Sequence, residues 1–195
     1  FFLKELAKNI AELDEVNTDL VHKMKGQGQK IIPEIDDALV DAFSYDYEVF
    51  SSEEELMENI EGSDKKFKGF IDAVIKTSDG RFHIVDWKTC SWGWDSKKRS
   101  DPMITYQLTL YKYFWCQKHG VDPTLVDTHF ALLKRTAKNN HVEIFHVTSG
   151  PRKTSNALGL LNRALSNISK KRYIKNRLAC TAGYGCEFYK TEHCQ

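Results

Sequence analysis

Apolar side chains at positions 2, 3, 6, 10, 13 and 16 recur near the helical period, so the chain opens with an amphipathic helix. A second helical region covers about 19–43. Gly26-Gln27-Gly28 marks an interruption in it, and Pro33 falls early in the restarted helix. From Tyr45 to Phe50 the pattern alternates, as in a short strand. The next stretch, SSEEELMENIEGSDKK, is polar and acidic and reads as a connection that could hold one helical turn. Two apolar-rich runs, near 67–77 and 81–89, flank Ser78-Asp79-Gly80 and predict a β-hairpin. A loop over 90–101 follows. Asp101-Pro102 then starts a helix that runs to about His119 and stops at Gly120. Strands at 125–136 and 141–148, joined by Ala137-Lys138-Asn139-Asn140, precede a last helix at about 154–176 and a Cys-rich tail. This order predicts a single α/β domain with a central mixed β-sheet flanked by helices. Its parts are a helical region 1–45, a sheet core 46–150, a basic helix 151–179 and the tail 180–195.

At 195 residues the chain is long enough for one well-buried domain, and 41% hydrophobic with 28% charged residues is ordinary for a soluble protein. No apolar run approaches the ~18–20 residues of a membrane span. The opening FFLKELAKNIAELDEV is amphipathic and partly acidic, unlike a secretory signal. Residues 1–64 carry 5 Lys and no Arg against 17 Asp/Glu, a balance of −12, whereas residues 65–195 carry +13. Such asymmetry suits a polyanion partner on the later two-thirds, or acidic helices that solvate one side. Five cysteines, an odd number without a signal, point to a reducing, cytoplasmic setting.

The hairpin carries the chemistry. With Ser78-Asp79-Gly80 as a three-residue loop, Thr77 pairs with Arg81, and the same register sets Asp72 opposite Asp86 with Cβ atoms about 5 Å apart. Lys88 shares the face of Asp86, while Ile71, Ala73, Ile75, Val85 and Trp87 make the opposite, core-like face. Facing carboxylates repel unless something cationic joins them. Hard oxygen ligands suit Mg²⁺ or Mn²⁺; two surface acids paired with a lysine is the other reading. A two-residue turn would put the aspartates on opposite faces.

Asp72 followed by Asp86-Trp87-Lys88 resembles the D…(D/E)XK motif of the PD-(D/E)XK nuclease superfamily. Gly69-Phe70-Ile71-Asp72 is similar to its GxxD strand, Asp86-Trp87-Lys88-Thr89 to the DxKT strand of its RecB-like exonuclease branch, and Gln107 to Tyr111 to that branch's QxxxY helix motif. The resemblance spans about residues 69–111 and implies a restriction-endonuclease-like core and a divalent-metal-dependent deoxyribonuclease. By the same resemblance Asp72, Asp86 and the main-chain carbonyl of Trp87 hold the metal, Lys88 is catalytic, and Gln107 and Tyr111 brace the site or contact the DNA backbone. By the same resemblance a further ligand, His or Glu, often comes from an upstream helix; His22 and Glu34 are candidates, and Glu48, in the strand before the hairpin, is a third.

For DNA, Trp92 and Trp94 could stack on bases while Lys97, Lys98 and Arg99 hold phosphates, with one tryptophan expected to pack under the loop. Lys170, Lys171, Arg172, Lys175 and Arg177 form a basic stretch on the last helix. No base-reading module is recognisable, which predicts low sequence specificity. The tail spaces Cys180, Cys186 and Cys194 as C-x5-C-x7-C, looser than the family's iron–sulfur pattern. A [4Fe-4S] cluster with a first cysteine ahead of Phe1, zinc completed by His193, or unligated thiols are the three readings. The leading functional expectation is an exonuclease acting on single-stranded DNA or duplex ends. A structure- or site-specific endonuclease and an inactive nuclease-fold DNA-binding module are the alternatives.

Overall fold

The computed structural model describes residues 2–172, 180–181 and 185–192. They group into two compact units, Phe1–Ala157 and Leu158–Gln195. The first holds α1 (Phe2–Ala11), α2 (Thr18–Ile31), α3 (Ile35–Phe43), β1 (Glu48–Asn59), β2 (Lys66–Lys76) and β3 (Phe82–Cys90). These lead into α4 (Ser96–Ser100), α5 (Pro102–His119), β4 (Val126–Lys134), β5 (Val142–His146) and the start of α6 (Pro151–Ser169). The strands form one mixed sheet in the order β1-β2-β3-β4-β5, in which only β3 and β4 run parallel. A parallel pair needs a long crossover, and α5 supplies it. This is the single α/β domain, with helices flanking a mixed sheet, that the element order predicts.

Both faces of the sheet are covered. On one, Phe43 of α3 packs with Ile75, Val85 and Ala131, and Ala73 and Trp87 join them. On the other, α5 buries Leu108, Phe114 and Trp115 against the strands, with Trp115 over Phe82. Side chains such as Ile84, Phe130 and Trp115 are fully buried, and each contributes about 1.5–3 kcal/mol to folding. The hairpin therefore lacks the bare functional face expected of it: its inner half is core on both sides, and the acidic residues sit where that double cover ends.

β2 turns over along its length. The Cα of Gly69 faces the ring of Tyr111 on α5, yet Ala73, of the same parity, packs with Phe43 of α3. The change falls between Gly69 and Ala73. There the β1–β2 pairing passes from Glu54↔Ile71 to Ser52↔Ala73, and Glu53, between them, has φ +50°.

Several element boundaries differ from expectation; α1 ends at Ala11, and the short helix α4 lies inside the expected loop 90–101. The acidic stretch read as a connection is most of β1. Glu48 pairs opposite Lys76 at 3.4 Å and Glu55 meets Lys68 at 3.3 Å, so lysines on β2 neutralise an edge strand whose own composition disfavours it. α2 continues through Gly26 and Gly28, because the ring of Phe2 sits where a Cβ on residue 28 would be. The interruption comes instead at Ile32-Pro33-Glu34, a single 3₁₀ turn imposed by the missing proline N–H. The last helix spans Pro151–Ser169 rather than 154–176, with Lys171 left-handed (φ +51°) just beyond it.

In the second unit the remainder of α6 leads into exposed Lys170, Lys171 and Arg172, and the Cys186 N–H donates to the Cys180 carbonyl at 3.1 Å. Among the described residues no helix is long and apolar enough to cross a membrane.

Candidate active site

The hairpin register is the one the three-residue loop predicts. Lys76↔Phe82, Ile75↔His83, Val74↔Ile84 and Ala73↔Val85 are paired, closed by Thr77 N–H donating to the Arg81 carbonyl at 3.0 Å across a turn in which Gly80 has φ +81°. The ladder stops one pair short of Asp72 and Asp86. The next ladder bond is replaced by a side chain: the Trp87 N–H donates to Asp72 Oδ2 at 2.7 Å. The two aspartates thus lie at the first open position, where β2 and β3 part.

Asp86 is 2% exposed. Its Oδ1 accepts from Gln107 Nε2 at 3.0 Å, and the same Nε2 donates to the Tyr111 hydroxyl at 3.0 Å. Gln107 and Tyr111, one helical turn apart on α5, therefore act on one carboxylate. Lys88 Nζ stands 2.7 Å from the buried Asp86 Oδ2 and forms an ion pair with it. Burial pushes the Asp86 carboxyl up, Lys88 pulls it down, and Asp72 pushes it further up.

Asp72 and Asp86 bring hard carboxylate oxygens into this gap, the donor type that suits a divalent cation such as Mg²⁺ or Mn²⁺. Among the described residues no group of three His, Cys, Asp or Glu is placed to hold a metal. The upstream candidates are engaged elsewhere. His22 is exposed, with Nδ1 2.9 Å from the Thr18 carbonyl. Glu34 grips His141 through the backbone N–H (2.5 Å) and Nδ1 (2.6 Å). Burial raises the Glu34 pKa, but these His141 contacts outweigh it, and the net shift is downward. Glu48 is paired with Lys76.

The loop after Lys88 divides its labour. Trp92 is 71% exposed, whereas Trp94 is buried against Phe130, with ring centroids 5.0 Å apart. Lys98 Nζ covers the Trp94 ring at 4.6 Å, and Arg99 binds the Trp94 carbonyl and Glu143. Trp94, Lys98 and Arg99 therefore build the loop, which leaves Trp92 and Lys97 open to solvent. Lys175, Arg177, His193 and Cys194 lie outside the described residues.

Sequence reasoning missed the bond from Trp87 N–H to Asp72, which arises from strand separation. It also gave Gly69 no role beyond its motif. A Cβ there would stand 2.7 Å from Tyr111 Cε1.

Among solved structures, the chain is similar to that of a candidate exonuclease from Eubacterium rectale, with a TM-score of 0.51 at 16% identity over 74% of this chain and 52% of that one. The chain thus spans about half the length of that neighbour. It also matches the structure of a protein designated SSO0001, with a TM-score of 0.43 at 14% identity over 84% of this chain and 82% of that one. A comparison with curated proteins gave no match. The family model of the PD-(D/E)XK nuclease superfamily matches residues 3–194, and the chain belongs to that superfamily.

Proposed function

We propose that the protein is a divalent-metal-dependent DNA exonuclease of the RecB-like kind, acting on single strands or duplex ends with low sequence specificity. The observation that carries this is the buried Asp86 carboxylate, fixed through one oxygen by Gln107 and through the other by Lys88, beside Asp72 at the point where β2 and β3 part. Asp72, Asp86 and the Trp87 carbonyl would hold Mg²⁺ or Mn²⁺. Bound there, the ion supplies Lewis acidity toward a phosphoryl oxygen and acidifies a water. Lys88, anchored by its ion pair, presents a cation toward charge that builds up on the phosphodiester. Gln107 and Tyr111 fix the carboxylate so that little reorganisation accompanies the reaction. Trp92 and Lys97 are free to contact the substrate strand.

The test is digestion of end-labelled single- and double-stranded DNA with Mg²⁺ or Mn²⁺. Shortening from the ends, abolished by EDTA and by Lys88→Ala, is the expected result. Equal digestion by wild type and Lys88→Ala would remove the catalytic assignment, and cutting of closed circles would replace exonuclease by endonuclease. The tail cysteines Cys180, Cys186 and Cys194 are read as ligands of a [4Fe-4S] cluster or zinc. Visible absorbance and metal analysis of anaerobically purified protein test that reading.

A further inference from the structure

A groove of about 340 Å³ opens beyond the carboxyl ends of the two parallel strands. Thr89 and Ser91, the first and third residues after Lys88, line it together with Arg135 and Thr136, which follow β4. The two chain ends are locked side by side, since the Arg135 N–H donates to the Cys90 carbonyl at 2.8 Å and the Thr136 N–H to the Ser91 carbonyl at 3.0 Å. Helices α1 and α2 form the other wall with Leu6, Leu20 and Met24. Crevices outside the carboxyl ends of parallel strands are the usual ligand position in open α/β sheets.

The walls differ in chemistry. Leu20 and Met24 are 52% and 48% exposed, an apolar surface that folding leaves open to water. Thr89, Ser91 and Thr136 bring hydroxyl groups. Lys23 and Arg135 bring cations, and no carboxylate among the described residues pairs with either. An apolar α2 surface with Lys23 beside it, facing Arg135 across the groove, matches one nucleotide: a base against Leu20 and Met24, and a phosphate against Arg135 and Lys23.

We infer that this groove binds one unpaired nucleotide of a single DNA strand, so that the α1–α2 region selects single-stranded substrate. The inference rests on the nuclease reading and narrows its substrate class. In a duplex the bases are stacked and paired, so a base enters such a groove only after unstacking, at a cost of a few kcal/mol. An already single strand escapes that cost. Thr89 belongs to the strand that carries Asp86 and Lys88, which ties the groove to the site along one rigid element.

Binding can be read without catalysis. Fluorescence anisotropy in EDTA compares a labelled oligothymidylate with a blunt hairpin duplex for wild type, Arg135→Ala, Met24→Glu and Lys23→Ala. All three substitutions fall on side chains that serve no hydrogen bond among the described residues, and thermal melts check that each variant is folded. Wild type is expected to bind the single strand at least tenfold more tightly than the hairpin. Each variant is expected to lose about tenfold on the single strand, in line with one lost phosphate or base contact. Variants that bind as wild type does, or a wild type that prefers the hairpin, overturn the groove. The nuclease reading is judged separately by digestion with metal: active wild type with unchanged variant affinities sinks only the groove.

Discussion

The ring of Tyr111 occupies the space that a side chain on residue 69 would need, with Cε1 2.7 Å from the position of a Cβ there. Tyr111 accepts a hydrogen bond from Gln107, and Gln107 donates to Asp86. A strand glycine thus sets the place of a helix tyrosine, which sets the place of a carboxylate on the neighbouring strand.

Gly69→Ala is expected to push α5 away from β2 and loosen the Gln107–Asp86 bond. A shift of about 1 Å at a reacting group costs on the order of 100-fold in rate, so kcat should fall by roughly 10- to 100-fold. Overpacking should also cost about 1–3 kcal/mol of stability. Tyr111→Phe keeps the ring and removes only the hydroxyl, so its rate loss should be smaller. Kinetics at saturating metal, with melting curves as control, check both. A Gly69→Ala enzyme of unchanged kcat would cut this chain of contacts.

Gln107→Glu would set a second carboxylate about 3 Å from Asp86 Oδ1, where the amide now donates. Like charges at that distance in a buried site repel strongly, and a cation relieves the repulsion. In EDTA the variant should melt several degrees below wild type. Added Mn²⁺ should raise its Tm by more than it raises that of wild type. Equal metal-induced shifts would place the metal away from Asp86.

How much of this was legible beforehand follows from what is local. The turn Ser78-Asp79-Gly80 lies within one short segment, so the register that brings Asp72 to Asp86 could be read from it, and the structure has that register. β1 could not be read. Glu48, Glu54 and Glu55 disfavour a strand, and what holds them in one is distant in sequence: Lys76 and Lys68 on β2 for Glu48 and Glu55, and Trp115, Lys118 and His119 on α5 for Glu54. The same holds for Gly28, which looked like a helix break until Phe2 was seen resting on it. Trp92 and Trp94 are alike in sequence, and only the aromatic pocket of Phe130 and Phe145 separates the buried one from the free one.

Glu54 joins β1 to α5. It accepts from Ser51 Oγ (2.6 Å), Trp115 Nε1 (3.2 Å) and Lys118 Nζ (2.7 Å), and meets His119 Nε2 at 2.7 Å. Burial pushes its pKa up, but these donors outweigh burial and hold it at about 2. Glu54→Ala leaves the Trp115 N–H and the Lys118 ammonium without their partner. The expected loss is about 2–3 kcal/mol, just below the roughly 3–5 kcal/mol of a broken buried pair because Lys118 is partly solvated. Urea unfolding measures it, and a loss under 0.5 kcal/mol would show that β1 is held by its ladder alone.

A chain of polar groups crosses the sheet on the α3 side. Thr77 Oγ1 donates to Asp79 at 2.5 Å, so His83 Nε2, 3.2 Å away, must be the donor to Thr77. His83 Nδ1 is then a lone pair that accepts from His129 Nε2 at 3.2 Å. Phe43 of α3 covers both rings, and His146, Asp127 and Arg81 surround them. Burial lowers both histidines, His129 to about 3, with neighbouring His83 and His146 pushing the same way and Asp127 opposing. As pH falls below the ordinary 6.5, the unfolded chain takes up a proton that folded His129 refuses until about pH 3, so stability declines across that window. The slope is about 1.4 kcal/mol per pH unit for each such group, or roughly 2 kcal/mol from His129 between pH 6.5 and 5. His129→Phe keeps a ring against Phe43 and removes the titration. It should cost about 1 kcal/mol at pH 7 for the lost hydrogen bond, yet decline less steeply toward pH 5 than wild type. Urea midpoints at pH 7 and pH 5 decide the matter, and parallel declines in the two proteins would mean that acid sensitivity arises elsewhere.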